Sequence, residues 1–380
     1  MKKLKVLTIG HSYVVASNRG IAEAIHFDPS IEMTIAAPLF MNGSLRPLAL
    51  EKSSSTDGPN VVGLPAYFTR YNHFFFYRNL ASIIKPGAFD LIHIWEEPYV
   101  LAGFQIARAA KIANIPYFFR SAQSLNKKYP FPFSFFEKFV LRNARGWNAG
   151  ASLVYQNLLA RGYPQKNSVI INLGVKGDLF YPARDTIEKD IIKEELNLKG
   201  PVLCFIGRLV YDKGLDVLMS ALEDVKSHWN LIALGSGPYK EKIEKWAHEN
   251  NFQDRVKVML VKHDEVPRIL RGCDILVAPS QTMPNWKEQF GRMLAEAFAS
   301  KVTVIGSDSG EIPFVIAENG LVVGEKDIKG WTTNIELLLT NEQLRNQLAE
   351  KGRAKFLEEL EVSAIAKKYI QFYHHLTSDK

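Results

Sequence analysis

Cysteine is nearly absent: Cys204 and Cys273 are the only two in 380 residues, each inside an apolar run, VLCFIG and GCDILVAP. Two such positions argue against a disulfide framework or a cysteine metal site and read as buried reduced thiols. No stretch approaches 18 consecutive apolar residues, so no membrane-spanning helix is expected. The basic-then-apolar start MKKLKVLTIG is too short for a signal-peptide core and reads as a first strand. A soluble, cytoplasmic chain is the expectation. Internal repeats, low-complexity tracts and helix-turn-helix, zinc-finger or ribonucleoprotein signatures are missing too, so nucleic acid is not an expected partner.

At 380 residues the chain is long for one core, and two domains of roughly 180 residues are the natural division. Its 47% apolar and 23% charged content is ordinary for a globular protein. The charge is unevenly placed. Residues 1–180 hold 20 Lys and Arg against 10 Asp and Glu, or +10; the rest hold 27 against 30, or −3, which together give the net +7. A basic first half calls for an anionic partner, such as an anionic membrane surface or a phosphate-bearing acceptor, or else is a solvated face.

Short apolar runs alternate with helical patterns. LKVLTIG (4–10), MTIAAP (33–38), FDLIHIW (89–95), YFFRSA (117–122) and SVIINLG (168–174) read as strands, with NRGIAEAIHF and VLAGFQIARAAKIAN as helices between. The alternation restarts at Pro201 with VLCFIGRL, NLIALGSG, RVKVMLV, DILVAPS and VTVIGSD. Such alternation implies α/β architecture, two doubly wound parallel sheets with ligands at the carboxyl ends of the strands. The domains are expected at 1–178 and 179–361, with a carboxyl-terminal helix over 362–380 crossing back to the first. The segment 46–60 is expected as a polar loop or mobile connection, and ARDTIEKDIIKEELNLKGP as a polar segment leading into the second sheet.

The most telling stretch is PSQTMPNWKEQFGRMLAEAFASKVTVIGSDSGEIP (279–313). A helix starting near Gly291 presents unpaired amides, and with them partial positive charge, to a phosphate. Glu288 lies just before that helix and Glu296 inside it, separated by roughly 12 Å at 1.5 Å per residue. They would hold different parts of one elongated ligand, and a phosphate between two hydroxyl-binding carboxylates suggests a nucleotide sugar. Upstream, CFIGRLVYDKGLDVL places Arg208 and Lys213 at a strand-to-helix turn, where they can clamp a diphosphate. LIALGSGP adds Gly235 at a glycine-rich strand end.

Together GRLVYDKGLDVL, LIALGSGP, DILVAPS and EQFGRMLAEAFASKVTVIGSDSGEIPFVI resemble the donor-binding half of the retaining GT-B glycosyltransferases of family 4, across residues 201–325. The resemblance implies a GT-B fold, two Rossmann-like domains facing across a cleft, and an enzyme of polysaccharide biosynthesis that moves a sugar from a nucleotide diphosphate donor to a saccharide or lipid-linked acceptor. It implies that Arg208 and Lys213 neutralise the diphosphate, Glu288 holds the transferred sugar and Glu296 the ribose. Phe290 and Gly291 would offer amides, with Arg292, Met293 and Leu294 at the helix start, and the base would lie near Val261–His263. No Asp-x-Asp pair occurs, so no metal and no cofactor beyond the nucleotide-sugar co-substrate is expected.

In the first half, relatives of this kind carry a glycine pair after the first strand, where this chain has Gly10–His11, and a second histidine where it has Trp95. His93, Glu96 and Glu97 at the next strand mouth are the expected catalytic candidates there, beside Glu288, Arg208 and Lys213 from the second half. Arg19 would add charge near Gly10. Gln123, Asn126 and Lys127 would line the acceptor site. YNHFFFYRNL (71–80) and YPFPFSFFEKFVLR (129–142) interleave aromatics with cations, as a peripheral contact with the inner membrane face would require, or a core helix. A nucleotide-sugar epimerase, a phosphorylase, or a non-catalytic nucleotide-sugar-binding partner remains the alternative.

Overall fold

A computed structural model describes residues 3–42, 47–52 and 57–378. The chain divides into two compact units, Met1–Gly174 with Val362–Lys380, and Val175–Glu361. The division falls after Gly174, where the sequence reading set it after Asp178.

The first unit is built on seven parallel strands in the order Ser168–Ile170, Gly146–Ala149, Tyr117–Ser121, Leu91–Ile94, Leu4–Ile9, Ile31–Pro38, Asn60–Leu64. Neighbouring residues such as Val6 and Leu7, or Ile92 and His93, are all buried, because helices or loops cover both faces of the sheet. The helix Leu101–Ile112 buries Ala102, Ile106 and Ala110 at helical spacing. The last helix, Val362–Ser378, joins this unit: it packs against Gly20–His26 and buries Ile365, Tyr369, Phe372, Tyr373 and Leu376 in the same core. Residues 379 and 380 of the expected helix lie outside the described residues.

The second unit has six parallel strands in the order Val256–Met259, Asn230–Leu234, Val202–Ile206, Ile275–Ala278, Thr303–Ser307, Leu321–Val323. Its core gathers Leu203, Phe205, Leu231, Ile275, Val277, Ile305 and Trp331. In both sheets chain order reverses beside the first strand, the doubly wound pattern.

The strands Asn60–Leu64, Gly146–Ala149 and Leu321–Val323 were not anticipated. GWNA has no β-branched residue, and LVV is too short to show a period. The expected polar loop 46–60 contains the strand Pro47–Ala49, paired with Phe40–Asn42; Arg46 and residues 53–56 lie outside the described residues. ARDTIEKDIIKEELNLKGP contains a helix over Thr186–Glu195: the Asp185 carboxylate caps it by accepting from the Glu188 amide at 2.8 Å.

That helix is moored by charge. Asp274, before a central strand, meets the ammonium groups of Lys189 at 2.7 Å and Lys193 at 2.9 Å and accepts the Val202 amide at 2.8 Å. Burial pushes the Asp274 carboxyl up, but the two lysines outweigh it and hold it below the usual carboxylate range. A lowered pKa gives stability that is full above the ordinary carboxylate value and is lost as pH falls through the lowered one. Asp274→Asn should therefore lower the unfolding free energy by about 3 kcal/mol at pH 7. Urea melts should show the gap to the unsubstituted protein closing as the pH is taken to 3.

Candidate active site

In a doubly wound sheet the crevice where strand order reverses, at the carboxyl ends, is where a ligand can enter. In the second unit it lies between Val202–Ile206, which leads into Gly207–Arg208, and Ile275–Ala278, which leads into Pro279–Ser280. The two exits are pressed together at Gly214. Its φ is +71°, and a Cβ there would overlap the Pro279 carbonyl oxygen, so only glycine fits. The Gln281 amide donates to the Asp212 carbonyl at 2.9 Å and closes the contact.

This junction sets Lys213 against Glu288. The ammonium meets Glu288 Oε2 at 2.6 Å, and both side chains are nearly buried, 12% and 11% exposed. The Trp286 ring lies 4.6 Å from the same ammonium, and the Ser280 hydroxyl donates to Glu288 Oε2 at 3.3 Å. The GSDSGEIP loop braces Glu288 from behind. Gly310, with φ +58°, leaves no room for a Cβ against the Glu288 backbone, and the Glu311 amide donates to the Glu288 carbonyl at 3.0 Å.

A second cluster forms on the helix Arg292–Ala299. Glu296, 6% exposed at its side chain, faces Arg292 Nε at 3.1 Å and His263 Nε2 at 3.7 Å. His263 is itself half exposed. Gly291 precedes the helix with no side-chain cap, and Phe290 is buried behind it. Arg292 and Met293 are half-buried at the helix start, whereas Leu294 turns its side chain wholly into the core and its amide donates to the Gly291 carbonyl. What Leu294 contributes is packing. Arg208 is 64% exposed and reaches Asp212 at 3.3 Å, so its guanidinium is not drawn into the Lys213–Glu288 pair. Gly235 lies against the Gly207 carbonyl, which brings two strand ends together.

In the first unit the crevice lies between Leu4–Ile9 and Leu91–Ile94. Gly10 and Trp95 close on each other there: a Cβ at Gly10 would sit 2.7 Å from Trp95 Cβ. The three first-half catalytic candidates all point inward. His93 is 1% exposed, bonded through Nδ1 to the Tyr373 hydroxyl at 2.9 Å and stacked on Phe118 at 4.2 Å. Burial, with the Arg120 charge, holds its imidazole well below the usual value, so it is neutral packing rather than a proton carrier. Glu97 spends its oxygens on the Ser121 hydroxyl and the Ala122 amide, both at 2.7 Å. Burial nevertheless pushes its carboxyl up.

Glu96, 2% exposed at its side chain, accepts from the His11 amide at 2.6 Å and meets His11 Nδ1 at 2.7 Å. The Glu96 charge, against the cost of burial, raises the His11 pKa. His11 is 36% exposed, and it is the residue that the sequence reading passed over. The signal was present, since a histidine stood where a glycine was expected. Arg120 was also missed: its guanidinium lies over Trp95 at 5.0 Å, with a buried Nε that has no hydrogen-bond partner.

The proposed acceptor residues divide. Gln123 is buried, with Oε1 accepting the Leu125 amide at 3.1 Å and Nε2 donating to the Tyr129 hydroxyl at 3.2 Å, so its amide is spent on its own loop. Asn126 and Lys127 are exposed. Arg19 is buried and donates to the Tyr13, Val14 and Glu51 carbonyls; it ties loops together and leaves Gly10 without its charge. Among the described residues no three His, Cys, Asp or Glu are grouped so as to hold a metal ion.

Residues 186–355 match the family model of glycosyl transferases group 1. The N,N'-diacetylbacillosaminyl-diphospho-undecaprenol alpha-1,3-N-acetylgalactosaminyltransferase of Campylobacter jejuni is 25% identical, over 79% of this chain and 80% of that enzyme. A D-inositol 3-phosphate glycosyltransferase of Xylanimonas cellulosilytica is 30% identical over 49% of this chain and 46% of that protein. The chain spans about half the length of that protein and of an uncharacterized glycosyltransferase of Methanocaldococcus jannaschii, 29% identical over 54% of this chain and 56% of that one. Among solved structures, a glycosyltransferase from Rickettsia africae superposes with a TM-score of 0.81 at 18% identity, covering 100% of both chains. Anabaena HepE, in complex with UDP and glucose, gives 0.74 at 16% identity, covering 98% of this chain and 100% of that one. These likenesses show the GT-B fold, two Rossmann-like domains.

Gly214→Ala tests the junction. It should destabilise the second unit by at least about 2 kcal/mol in a thermal or urea melt, through strain and the lost Pro279 contact.

Proposed function

We propose, on the premise that residues 186–355 belong to glycosyl transferases group 1, that the chain is a retaining glycosyltransferase moving a sugar from a nucleotide diphosphate sugar to a saccharide or lipid-linked acceptor. The observation that carries this is the near-buried Lys213–Glu288 pair at 2.6 Å, set at the strand-order reversal of the second unit. A diphosphate entering that crevice takes over the Lys213 ammonium and frees the Glu288 carboxylate to accept sugar hydroxyls. Glu296, in reach of His263 and Arg292, suits ribose hydroxyls. Charge on the leaving diphosphate is met by Lys213, by Arg208 once it swings from its exposed position, and by the amides of Arg292 and Met293. Such preorganised charge can serve in place of a metal ion. The Campylobacter relative's named lipid-diphosphate substrate and the UDP and glucose in the HepE structure support the two substrate classes.

Polysaccharide biosynthesis on a lipid carrier would place the enzyme at the inner membrane face, and exposed aromatics and cations of the first unit support that reading. Phe68, Tyr71 and Phe74, 65%, 57% and 48% exposed, line with Phe76 and Leu101 a hollow of about 490 Å³. Phe133, 5.1 Å from the Phe74 ring, links this hollow to the helix Phe133–Asn143, beside which Phe131 is 82% exposed. Arg70, Lys127, Lys128 and Lys138 are exposed on the same segments, ready for lipid phosphates. Among the described residues no helix is long and apolar enough to cross a membrane.

Thermal-shift measurements with UDP, GDP and their sugars should give a rise in melting temperature for one base, absent in Lys213→Ala and Glu296→Gln. Glu288→Gln should keep the nucleotide diphosphate shift and lose the added shift from the sugar. Product formation should survive EDTA, and NMR should show the anomeric configuration retained; EDTA-sensitive turnover or inversion would overturn those parts of the reading. Phosphatidylglycerol vesicles should co-sediment the protein at low salt and release it at high salt. Binding unaffected by both salt and Phe131→Ser would remove the membrane surface.

A further inference from the structure

We propose that Trp286 is a positioning residue for the donor diphosphate, its indole face holding the Lys213 ammonium beside Glu288; this rests on the glycosyl-transfer reading above. All three residues belong to the second unit. A lysine is a point charge on a flexible four-carbon stem, so aiming it at a ligand costs side-chain entropy unless the fold has already restricted it. Here the stem is bracketed. Its Cε passes 4.0 Å from where a Cβ on Gly207 would stand, Glu288 Oε2 meets the ammonium at 2.6 Å, and the Trp286 ring centroid lies 4.6 Å away. That last separation is well inside the range of cation–π attraction.

A ring face attracts an ammonium without using up a proton as an oxygen acceptor would. The indole contact therefore restricts Lys213 and leaves its donors for a ligand. Glu288 takes one of the three protons, and among the described residues no further acceptor meets the ammonium. Trp147, Trp229 and Trp331 are wholly buried in their cores, whereas Trp286 is half-buried and its ring meets the lysine.

Trp286 is itself held by a tight turn. The Met283 amide donates to the Trp286 carbonyl at 2.7 Å and the Trp286 amide returns to the Met283 carbonyl at 3.3 Å, with Pro284 restricting the bend between them. The turn is tied down just before it begins. The Thr282 amide donates to the Glu325 carboxylate at 2.6 Å, and the Thr282 hydroxyl meets that of Ser309 at 2.9 Å. The Gln281 amide donates to the carbonyl of Asp212, the residue next to Lys213. Ring and ammonium thus sit on two segments joined a few residues from their contact.

The full chain, with 5-fluorotryptophan at its six tryptophans, tests the contact without a ligand. The fluorine resonance that is missing from Trp286→Phe should move in Lys213→Met; a resonance that stays in place would overturn the proposal. Calorimetric titration with UDP and GDP tests the role. Whichever binds should bind about 10-fold more weakly to Trp286→Leu, and within about threefold of the unsubstituted protein to Trp286→Phe, which keeps an aromatic face. Where Trp286→Leu does not fold, Trp286→Gln carries the same expectation. An unchanged affinity without the ring, or an equal loss with phenylalanine, would overturn the assignment. Uridine or guanosine, which lacks the diphosphate, should bind the ring-less variant as it binds the unsubstituted protein in saturation-transfer NMR. An equal loss there would make the ring a nucleoside platform and overturn a role through Lys213. A protein that binds no nucleotide or nucleotide sugar would sink the glycosyl-transfer reading and this role with it, and the ligand-free fluorine signal distinguishes that failure from a misplaced ring.

Discussion

Parallel strands put every carboxyl end on one edge of a sheet, and here each sheet grows outward from its first strand in both directions. Beside that strand the flanking helices diverge to opposite faces, which leaves a crevice that no connection covers. Several of the groups described above follow such an end: Gly10, His11 and Glu96 in one unit, Lys213 and Glu288 in the other. The backbones meet so closely there that side chains are excluded, at Gly10 against Trp95, Gly214 against Pro279 and Gly310 against Glu288. Close backbone packing has a physical consequence for the charges it carries. The loops cannot swing apart to solvate them, so each must be satisfied in place or stay poised for a ligand.

That distinction separates structural from functional charges. Asp274 has three donors and Glu97 two, each supplied by a neighbouring part of its own unit. Gln123 uses both ends of its amide on its own loop. Lys213 and His11 differ. Lys213 has one carboxylate and an aromatic face for an ammonium with three protons to donate, and His11 uses one ring nitrogen of two. Burial alone would rank Lys213 with Asp274, 12% and 9% exposed at their side chains. Unspent hydrogen-bonding capacity at the mouth of a sheet is what marks Lys213 and His11 out.

The second unit was legible because its site is nearly contiguous. Glu288, Gly291, Glu296 and Gly310 fall within one 35-residue run, where helix spacing and turn glycines can be read directly. The first unit offered no such run. His11 and Glu96 stand 85 residues apart, and only strand order brings them together. The strand Leu91–Ile94 is buried at every position, so no alternation showed that His93 faced the helix Val362–Ser378. Glu96 and Glu97 looked equivalent as a pair, yet adjacent residues leave the chain on different sides, one toward His11 and the other toward Ser121. The helix over Thr186–Glu195 was obscured by its charge, because four of its residues are acidic and two are lysines that reach inward to Asp274.

Trp95 explains why a histidine at position 11 makes physical sense. An indole cannot exchange a proton at neutral pH, but it offers a face: Arg120 lies over it, and Tyr13 and His93 pack against it at 5.5 and 5.0 Å. Those contacts turn the end of the strand Leu91–Ile94 into an aromatic wall, in which an ionisable side chain would be desolvated and neutralised, as His93 is. His11, by contrast, stands outside the wall while still anchored to it through Glu96. The loop after Ile9 is the neighbouring exit across the strand-order reversal, and Glu96 is the first residue beyond Trp95. Placing the carboxylate on one exit and the imidazole on the other keeps the anion buried, keeps the ring partly in water, and fixes the geometry through the sheet itself.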